Sequence, residues 1–409
     1  MNVTENLIKF VRMHANDDVN TLRLKFAGKR NCEKNIDFDF DIEFALTQIE
    51  SRRKTKKKLP DFVSYPDFIF PTTLSAEQAS NEAVARFHAS LISSSSSLLD
   101  LTAGLGIDDM TFALKGIQVT ACEIDSIKCE ALQHNAKVMG ISDNLSVVCG
   151  DSIDFISNHK DQFDVVFADP ARRNETGGKI HALSNCKPDI LAAMQDILSI
   201  SNRLLVKCSP LLDFSLIKNT VKDLQHIYVV CYKGECKEVL IDIKKTSSFD
   251  GITVVDIDNE HEISRFHTTF KTTESGSKVS LCNRKRADEY KYLYEPNAGV
   301  MKTGAWSTLL NEFPHLSKAD PNTHIFLSDA FYSNFPGRVM QIVSEPDKKA
   351  IKALKGSKLN IVSRNHPLSA TQIAKKFSLI PGTEKFLYAF RYRNTPNFLV
   401  ATPMNQESQ

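Results

Sequence analysis

The stretch Leu98-Leu99-Asp100-Leu101-Thr102-Ala103-Gly104-Leu105-Gly106-Ile107-Asp108-Asp109 decides the fold. An apolar run short enough for a buried strand breaks at two glycines one residue apart, and a helical pattern with an acidic first turn follows. Glycine at such a break lets the backbone turn sharply and approach a ligand, since no side chain stands between them. This is the shape of a nucleotide pocket, but the third glycine of the dinucleotide fingerprint is missing, so spacing has to carry the reading.

Nineteen residues beyond Gly104, Glu123 closes the strand pattern Gln118-Val119-Thr120-Ala121-Cys122, where a carboxylate would meet a pair of ribose hydroxyls. A third strand, Ser146-Val147-Val148-Cys149, ends in Gly150-Asp151-Ser152, beside the expected place of a base. A fourth, Asp164-Val165-Val166-Phe167-Ala168, runs into Asp169-Pro170-Ala171-Arg172-Arg173. Four successive strand ends thus carry ligand-type residues, and in an open parallel sheet such ends share one crevice.

This succession resembles the class I S-adenosylmethionine-dependent methyltransferases. A nicotinamide enzyme shares the first half of the pattern but has no use for an Asp-Pro turn after the fourth strand. Methyltransferases of nucleic-acid bases commonly put their substrate-facing turn there. The segments 169–173, Ser-Pro-Leu-Leu-Asp (209–213), Glu-Cys-Lys-Glu (235–238) and Glu77-Gln78-Ala79-Ser80-Asn81-Glu82 are similar to the hallmarks of bacterial methyltransferases with a C-terminal THUMP-like domain. The resemblance implies an α/β fold: a Rossmann-like core with a seven-stranded, mostly parallel sheet, an N-terminal helical region and small C-terminal α+β domains. The expected divisions are a mostly helical 1–74, a methyltransferase core with a β extension over 75–270, a ferredoxin-like 271–330 and a basic THUMP-like 331–409.

The resemblance also assigns roles. S-adenosylmethionine is the implied cofactor. Backbone groups of Thr102, Ala103, Gly104 and Gly106 would pass beneath its methionine and ribose, and Asp100 would order the loop and accept from its ammonium. Glu123, followed by Ile124, would take the ribose hydroxyls; Asp151 would accept from the adenine amine with Ser152 assisting. Each has a loop-capping alternative. On the substrate side stand Asp169, Pro170 and Arg172. A carboxylate and a following backbone carbonyl can accept both N–H bonds of an exocyclic base amine and so localise its lone pair for attack. Where such enzymes usually stack an aromatic ring on the base, this chain has Arg172, which would stack, grip a phosphate or pair with an acid such as Asp213. The methylated atom therefore stays open among amine, ring nitrogen, carbon and ribose oxygen. Asn174, Lys179 and Lys207 would line the same crevice without assigned roles, and Cys236 reads as a packed thiol.

Upstream, Ser75 with Gln78 forms a capping-box pattern, and Ala79, Ala83, Phe87 and Leu91 continue it at helical spacing. Earlier still, Ser51-Arg52-Arg53-Lys54-Thr55-Lys56-Lys57-Lys58 packs six positive charges into eight residues, a mobile solvent-facing segment or a phosphate-gripping edge. Leu59-Pro60 and Tyr65 to Pro71 read as an extended connection. Downstream, strands are expected at 203–208, at 226–232 with 238–243 as an antiparallel pair about Gly234, and over 252–270 as an edge extension. From 338 the order strand, helix, strand, helix and a final strand pair completes the chain.

At 409 residues, with 42% hydrophobic and 24% charged content, the chain suits several ordinary globular domains. Its net charge of +2 is unevenly spread: from Phe331 onward twelve Lys or Arg face four acids, leaving −6 for the rest. Arg338, Lys348, Lys349, Lys352, Lys355, Lys358, Arg364, Lys375 and Lys376 are the candidate contacts to RNA phosphates, with a solvated surface as the alternative. The nine cysteines form no Cys-x-x-Cys pair, and the eleven histidines do not fall at ligand spacing, so reduced thiols and no metal are expected. There is no secretory start and no apolar run near the roughly 20 residues that span a bilayer, so a cytoplasmic protein without membrane contact is expected. The expected function is an S-adenosylmethionine-dependent RNA methyltransferase. Its competitors are a non-catalytic RNA-binding protein on the same scaffold, which takes up no cofactor, and a methyltransferase of DNA or protein. The sequence is silent on oligomeric state.

Overall fold

The computed structural model describes residues 3–26, 39–172, 186–270 and 280–404. The chain divides into two units: Met1–Ile227 with Glu238–Phe249, and Tyr228–Lys237 with Asp250–Gln409.

The first unit opens with α1 (Glu5–Met13), α2 (Val19–Phe26) and α3 (Ile42–Thr55), which bury Leu7, Phe10, Leu22, Phe26, Leu46 and Ile49 against one another. Asp41 starts α3 by accepting from the N–H groups of Glu43 and Phe44. The charged run expected to be mobile is largely the end of this helix. Ser51 and Thr55 are buried, and the Arg52 guanidinium donates to the carbonyls of Val63, Tyr65, Pro66 and Phe68. Helical periodicity loses to charge repulsion in a count of lysines, but here the positive end also meets the helix's own negative pole. The connection read as wholly extended contains α4 (Pro60–Ser64), whose proline takes the first helical position.

A second correction concerns residues 75–91. They are not one helix capped at Ser75 but two: α5 (Thr73–Gln78), capped by Thr72, and α6 (Glu82–Ser90), capped by Asn81. Asn81 accepts from the N–H groups of Ala83 and Val84, and that cap outcompetes continuation through Ala79. The break between them brings Ser80 inward.

The core then alternates: β1 (Ser97–Asp100), α7 (Ile107–Leu114), β2 (Gln118–Glu123), α8 (Ser126–Val138), β3 (Leu145–Cys149), α9 (Ser152–Asn158) and β4 (Val165–Ala168). A two-residue ladder of β5 (Ala171–Arg172) and β6 (Cys186–Lys187) follows, then α10 (Met194–Ile200), β7 (Arg203–Cys208), α11 (Phe214–Thr220), β8 (Leu224–Tyr232) and β9 (Glu235–Lys244). β10 (Gly251–Ile257) pairs antiparallel with β11 (Glu262–Thr268). The sheet order is β11-β10-β8-β9-β7-β4-β1-β2-β3, so the seven expected strands are joined by two more. β1 lies between β2 and β4, all parallel, and β9 runs antiparallel to β7. The order reverses at β1, and that switch point is where open α/β sheets bind ligands. Apolar β1, β4 and β7 are buried on both faces, as central parallel strands require.

The second unit continues with β12 (Tyr292–Pro296), α12 (Ala298–Thr303), α13 (Trp306–Glu312), β13 (Ser317–Asp320), β14 (Thr323–Ser328), β15 (Gly337–Ser344), α14 (Lys348–Ala353), β16 (Lys358–Arg364), α15 (Ala370–Phe377), β17 (Ile380–Tyr392) and β18 (Thr395–Pro403). These strands form one sheet in the order β13-β14-β12-β15-β18-β17-β16. Tyr388, Phe390 and Leu293 anchor one core and Ile351, Ile373 and Leu387 another.

Two amides fasten the chain ahead of α5 to the first unit. Asn135 on α8 accepts from the Ile69 N–H and donates to its carbonyl (2.8 and 2.9 Å), and Gln48 does the same for Phe70 (both 2.8 Å). Asn135→Ala leaves two buried backbone groups of Ile69 without partners. It should lower unfolding free energy by about 2 kcal/mol, read as a shift in the urea midpoint at unchanged slope.

Candidate active site

The loop after β1 is bent by two glycines for different reasons. At Gly106, φ is +79° and a Cβ would come within 2.2 Å of Leu132 Cδ1, so the left-handed backbone and the packing of α8 together disfavour a side chain. At Gly104, φ is +60° and a Cβ would meet nothing nearer than the Thr102 carbonyl at 3.9 Å, so open space is kept in front of the backbone. That space belongs to a cleft of about 1040 Å³. Every residue predicted to meet the cofactor lines it: the loop from Asp100 through Gly106, Glu123 with Ile124, and Asp151 with Ser152. Asp169 and Pro170 line it too, facing Lys187 to Asp189 and the α5 end at Gln78 to Ser80.

Each polar residue is held in place. Asp100 accepts from the Thr102 N–H (2.7 Å) and hydroxyl (3.2 Å). That hydroxyl in turn accepts from the Asp169 N–H (2.6 Å), so one threonine links β1 to the turn after β4. Glu123 accepts from the N–H groups of Gly104 (2.8 Å) and Asp125 (2.9 Å). Four lone-pair directions on a carboxylate leave it capacity for a diol. Asp151 caps α9 through the Ile153 N–H, and Ile124 is 72% exposed. Arg172 is described by its backbone alone, which pairs with Cys186. The suggested pairing of its side chain with Asp213, and the positions of Arg173, Asn174 and Lys179, lie outside the described residues; Asp213 itself caps α11 through the Ser215 N–H.

Lys207, unassigned by the sequence, is the hub of a buried ionic cluster. Its ammonium lies 2.8 Å from Asp169 Oδ2, 2.7 Å from Ser80 Oγ, 3.2 Å from Asp108 Oδ2 and 3.9 Å from Glu238 Oε2. The Ser80 hydroxyl donates to Asp108. His88, fully buried on α6, bridges Asp108 (2.8 Å) and Glu238 (2.5 Å) through its two ring nitrogens. Burial opposes its protonation, yet the charges of Glu238 and Asp108 with their hydrogen bonds win and raise its pKa to about 9. Burial likewise works against Asp108, but Lys207 and His88 hold its carboxyl well below the usual range. The next residue behaves in the opposite way. Neither oxygen of buried Asp109 finds a donor among the described residues, and burial, then the charges of Asp100 and Asp108, raise its pKa strongly. Asp100 is itself raised to about 7, by burial first, against the Thr102 N–H and with the charges of Asp108 and Asp169. His88 gave no sequence signal beyond a histidine among apolar helix positions. Ser80 and Glu238 stood inside two of the quoted motifs, but nothing in their spacing said they meet.

Of the patch at 77–82, Gln78 and Ser80 reach the cleft, Glu77 pairs with Lys54, and Glu82 is spent on the Asp61 N–H and Arg86. In the second unit, Arg338 and Arg364 share the buried carboxylate of Glu295 (3.8 and 2.7 Å), to which Tyr388 also donates. Lys376 lies over the Phe377 ring. Cys236 lies beside Cys231, whose thiol is pushed up by that contact and by burial. Among the described residues, no group of His, Cys, Asp or Glu is arranged to hold a metal, and no helix is long and apolar enough to cross a membrane.

Sheet order, switch-point cleft and glycine loop are those of the class I methyltransferase fold. Residues 95–179 match the family model of RNA cap guanine-N2 methyltransferases. More particularly, the match to that core is followed by matches to the models of a ferredoxin-like domain over 292–336 and of a THUMP domain-like region over 338–403. Its fold is that of a protein from Porphyromonas gingivalis W83 provisionally described as a methyltransferase, with 98% of each chain covered, a TM-score of 0.80 and 24% identity. M. capricolum TrmK, solved with S-adenosyl-homocysteine, matches 41% of this chain and 70% of its own at a TM-score of 0.31 and 13% identity.

Because His88 is held above its ordinary value of 6.5, its stabilising contribution is complete below pH 6.5 and disappears as pH rises through about 9. The melting temperature should therefore fall across that window, and His88→Gln should flatten the fall. Calorimetry from pH 6 to 9.5 checks both; an unchanged slope in the variant would remove the histidine's assigned charge.

Proposed function

We propose that the protein transfers a methyl group from S-adenosylmethionine to an exocyclic amine of an RNA base seated at Asp169-Pro170. One observation carries this reading: the loop carrying Asp100, the β2 end at Glu123 and the Asp-Pro turn all face one cleft. A bound sulfonium donor supplies its own leaving group and needs no covalent help, so the residues' work is binding and alignment. Asp100 accepts from the donor's ammonium, Glu123 takes the ribose hydroxyls, and Asp151 with Ser152 meets the adenine beside exposed Ile124. Asp169 and the Pro170 carbonyl accept the two N–H bonds of the incoming amine, which keeps its lone pair directed at the methyl carbon. The description of the family matched over 95–179, which names guanine N2, supports an exocyclic amine as the acceptor. RNA as the partner is supported by the THUMP-like match over 338–403 and by the excess of twelve basic over four acidic residues from Phe331 onward.

S-adenosylhomocysteine should bind with micromolar or better affinity in titration calorimetry. Since Asp100 titrates near 7, an ammonium beside it favours its ionised form, and affinity should rise severalfold from pH 6 to pH 8 with proton release on binding. Labelled methyl groups should enter total RNA from cells lacking the enzyme and appear, after nucleoside analysis, on a base amine. Asp169→Ala should abolish that transfer while cofactor affinity stays within a few-fold. Label found only in DNA or protein would refute the RNA assignment.

A further inference from the structure

Lys207 has three N–H bonds and three close acceptors: Asp169 at 2.8 Å, Ser80 at 2.7 Å and Asp108 at 3.2 Å. No donor is left over, so the ammonium cannot swing away without breaking a bond. Its side chain is 7% exposed, whereas that of Asp169 is 49% exposed, on the cleft. The lysine therefore stands behind the aspartate. Inside the cluster the charges already balance without Asp169: protonated His88 and Lys207 face Asp108 and Glu238. Asp169 is thus an additional anion at the cleft wall, tied by one oxygen to a cation whose other bonds lead back into the core. Its backbone is pinned independently by Thr102 Oγ1. A buried ion cluster gives little net stability over well-packed apolar residues, so fold stability alone is a weak reason for this outward branch.

We propose that Lys207 is a positioning residue for methyl transfer, fixing Asp169 by Oδ2 so that its other oxygen faces the substrate. This rests on the reading of Asp169 as the amine's acceptor. The carboxylate is then pre-aimed before the base arrives, and little rotamer freedom remains to be lost in the transition state. Lys207 makes no claim on the cofactor, so its removal should act on turnover and spare donor binding.

The test uses the full-length protein with labelled S-adenosylmethionine and total RNA from cells lacking the enzyme. Lys207→Ala removes the cation. Lys207→Ala with Glu238→Gln removes it while keeping the interior charge-balanced, and so guards against a variant that fails to fold. The expected result for the folded double variant is S-adenosylhomocysteine affinity within a few-fold of wild type and kcat reduced by roughly 10²-fold, the cost of misplacing a reacting group by about 1 Å. Methylammonium or ethylammonium should restore part of the lost kcat in Lys207→Ala in a saturable way, which a merely structural lysine would not allow. Near-normal kcat in the folded double variant overturns the proposal. So does a loss that tracks melting temperature and ignores added amine, or the failure of both variants to fold. Asp169→Ala separates the two levels: if it keeps activity, the acceptor reading falls and this inference with it. If it is dead while the Lys207 variants turn over normally, only this inference falls.

Discussion

A lysine ammonium sealed beneath the cleft, with a carboxylate on either side of it, is the constraint on which the first unit depends. Lys207 comes from β7, Asp108 from α7, His88 from α6, Glu238 from β9, and Ser80 from the break between α5 and α6. Five separate pieces of chain converge because none of these groups can be left alone in a dry interior. Apolar contacts would tolerate small slides of a helix over the sheet. Hydrogen-bonded charges do not, and the cluster sets the height and rotation of α6 and α7 against β7 and β9.

Two neighbouring aspartates show how local this control is. Asp108 and Asp109 share a helix turn and nearly the same burial, at 7% and 0% exposure. One carboxyl is held well below the usual range by the cations Lys207 and His88; the other is pushed strongly up, by burial and then by the charges of Asp100 and Asp108. The same helix turn thus places two carboxyls in opposite electrostatic surroundings beside Asp100. Thr102 then joins this acid cluster to the Asp-Pro turn through a single hydroxyl, which donates toward Asp100 and accepts from the Asp169 N–H.

Much of this was legible in the sequence because it is written in short-range terms. Period-two apolar runs, glycines at one turn and acids at strand ends are local signals, and the sheet order follows once the strands are paired in the usual way. The order expected from 338, strand, helix, strand, helix and a strand pair, matches the observed elements for the same reason, whereas β13 (317–320), with Lys318 and Asp320 buried, reads as polar and carries no such signal. Capping misled where two competent caps stood close together. By residue type Ser75 is as good a cap as Asn81 and a better one than Thr72, and only packing selects between such candidates. The run at 51–58 misled because composition cannot show that Arg52 points at four carbonyls. The ionic hub was invisible for a deeper reason: His88, Asp108, Lys207 and Glu238 are separated by up to 150 positions, and no periodicity links them.

In the second unit, the seam between the ferredoxin-like match and the THUMP-like match falls between residues 336 and 338. The backbone ignores that seam: β12, ending at Pro296, is hydrogen-bonded along its length to β15, which begins at Gly337, and a side chain at Gly337 would collide with the Glu295 carbonyl at 2.2 Å. The two matched stretches therefore share one β-sheet with an internal ladder across the join. Cutting the chain there would not release two finished domains but would bare the flank of β12 as a sticky, unpaired border, an invitation to aggregate.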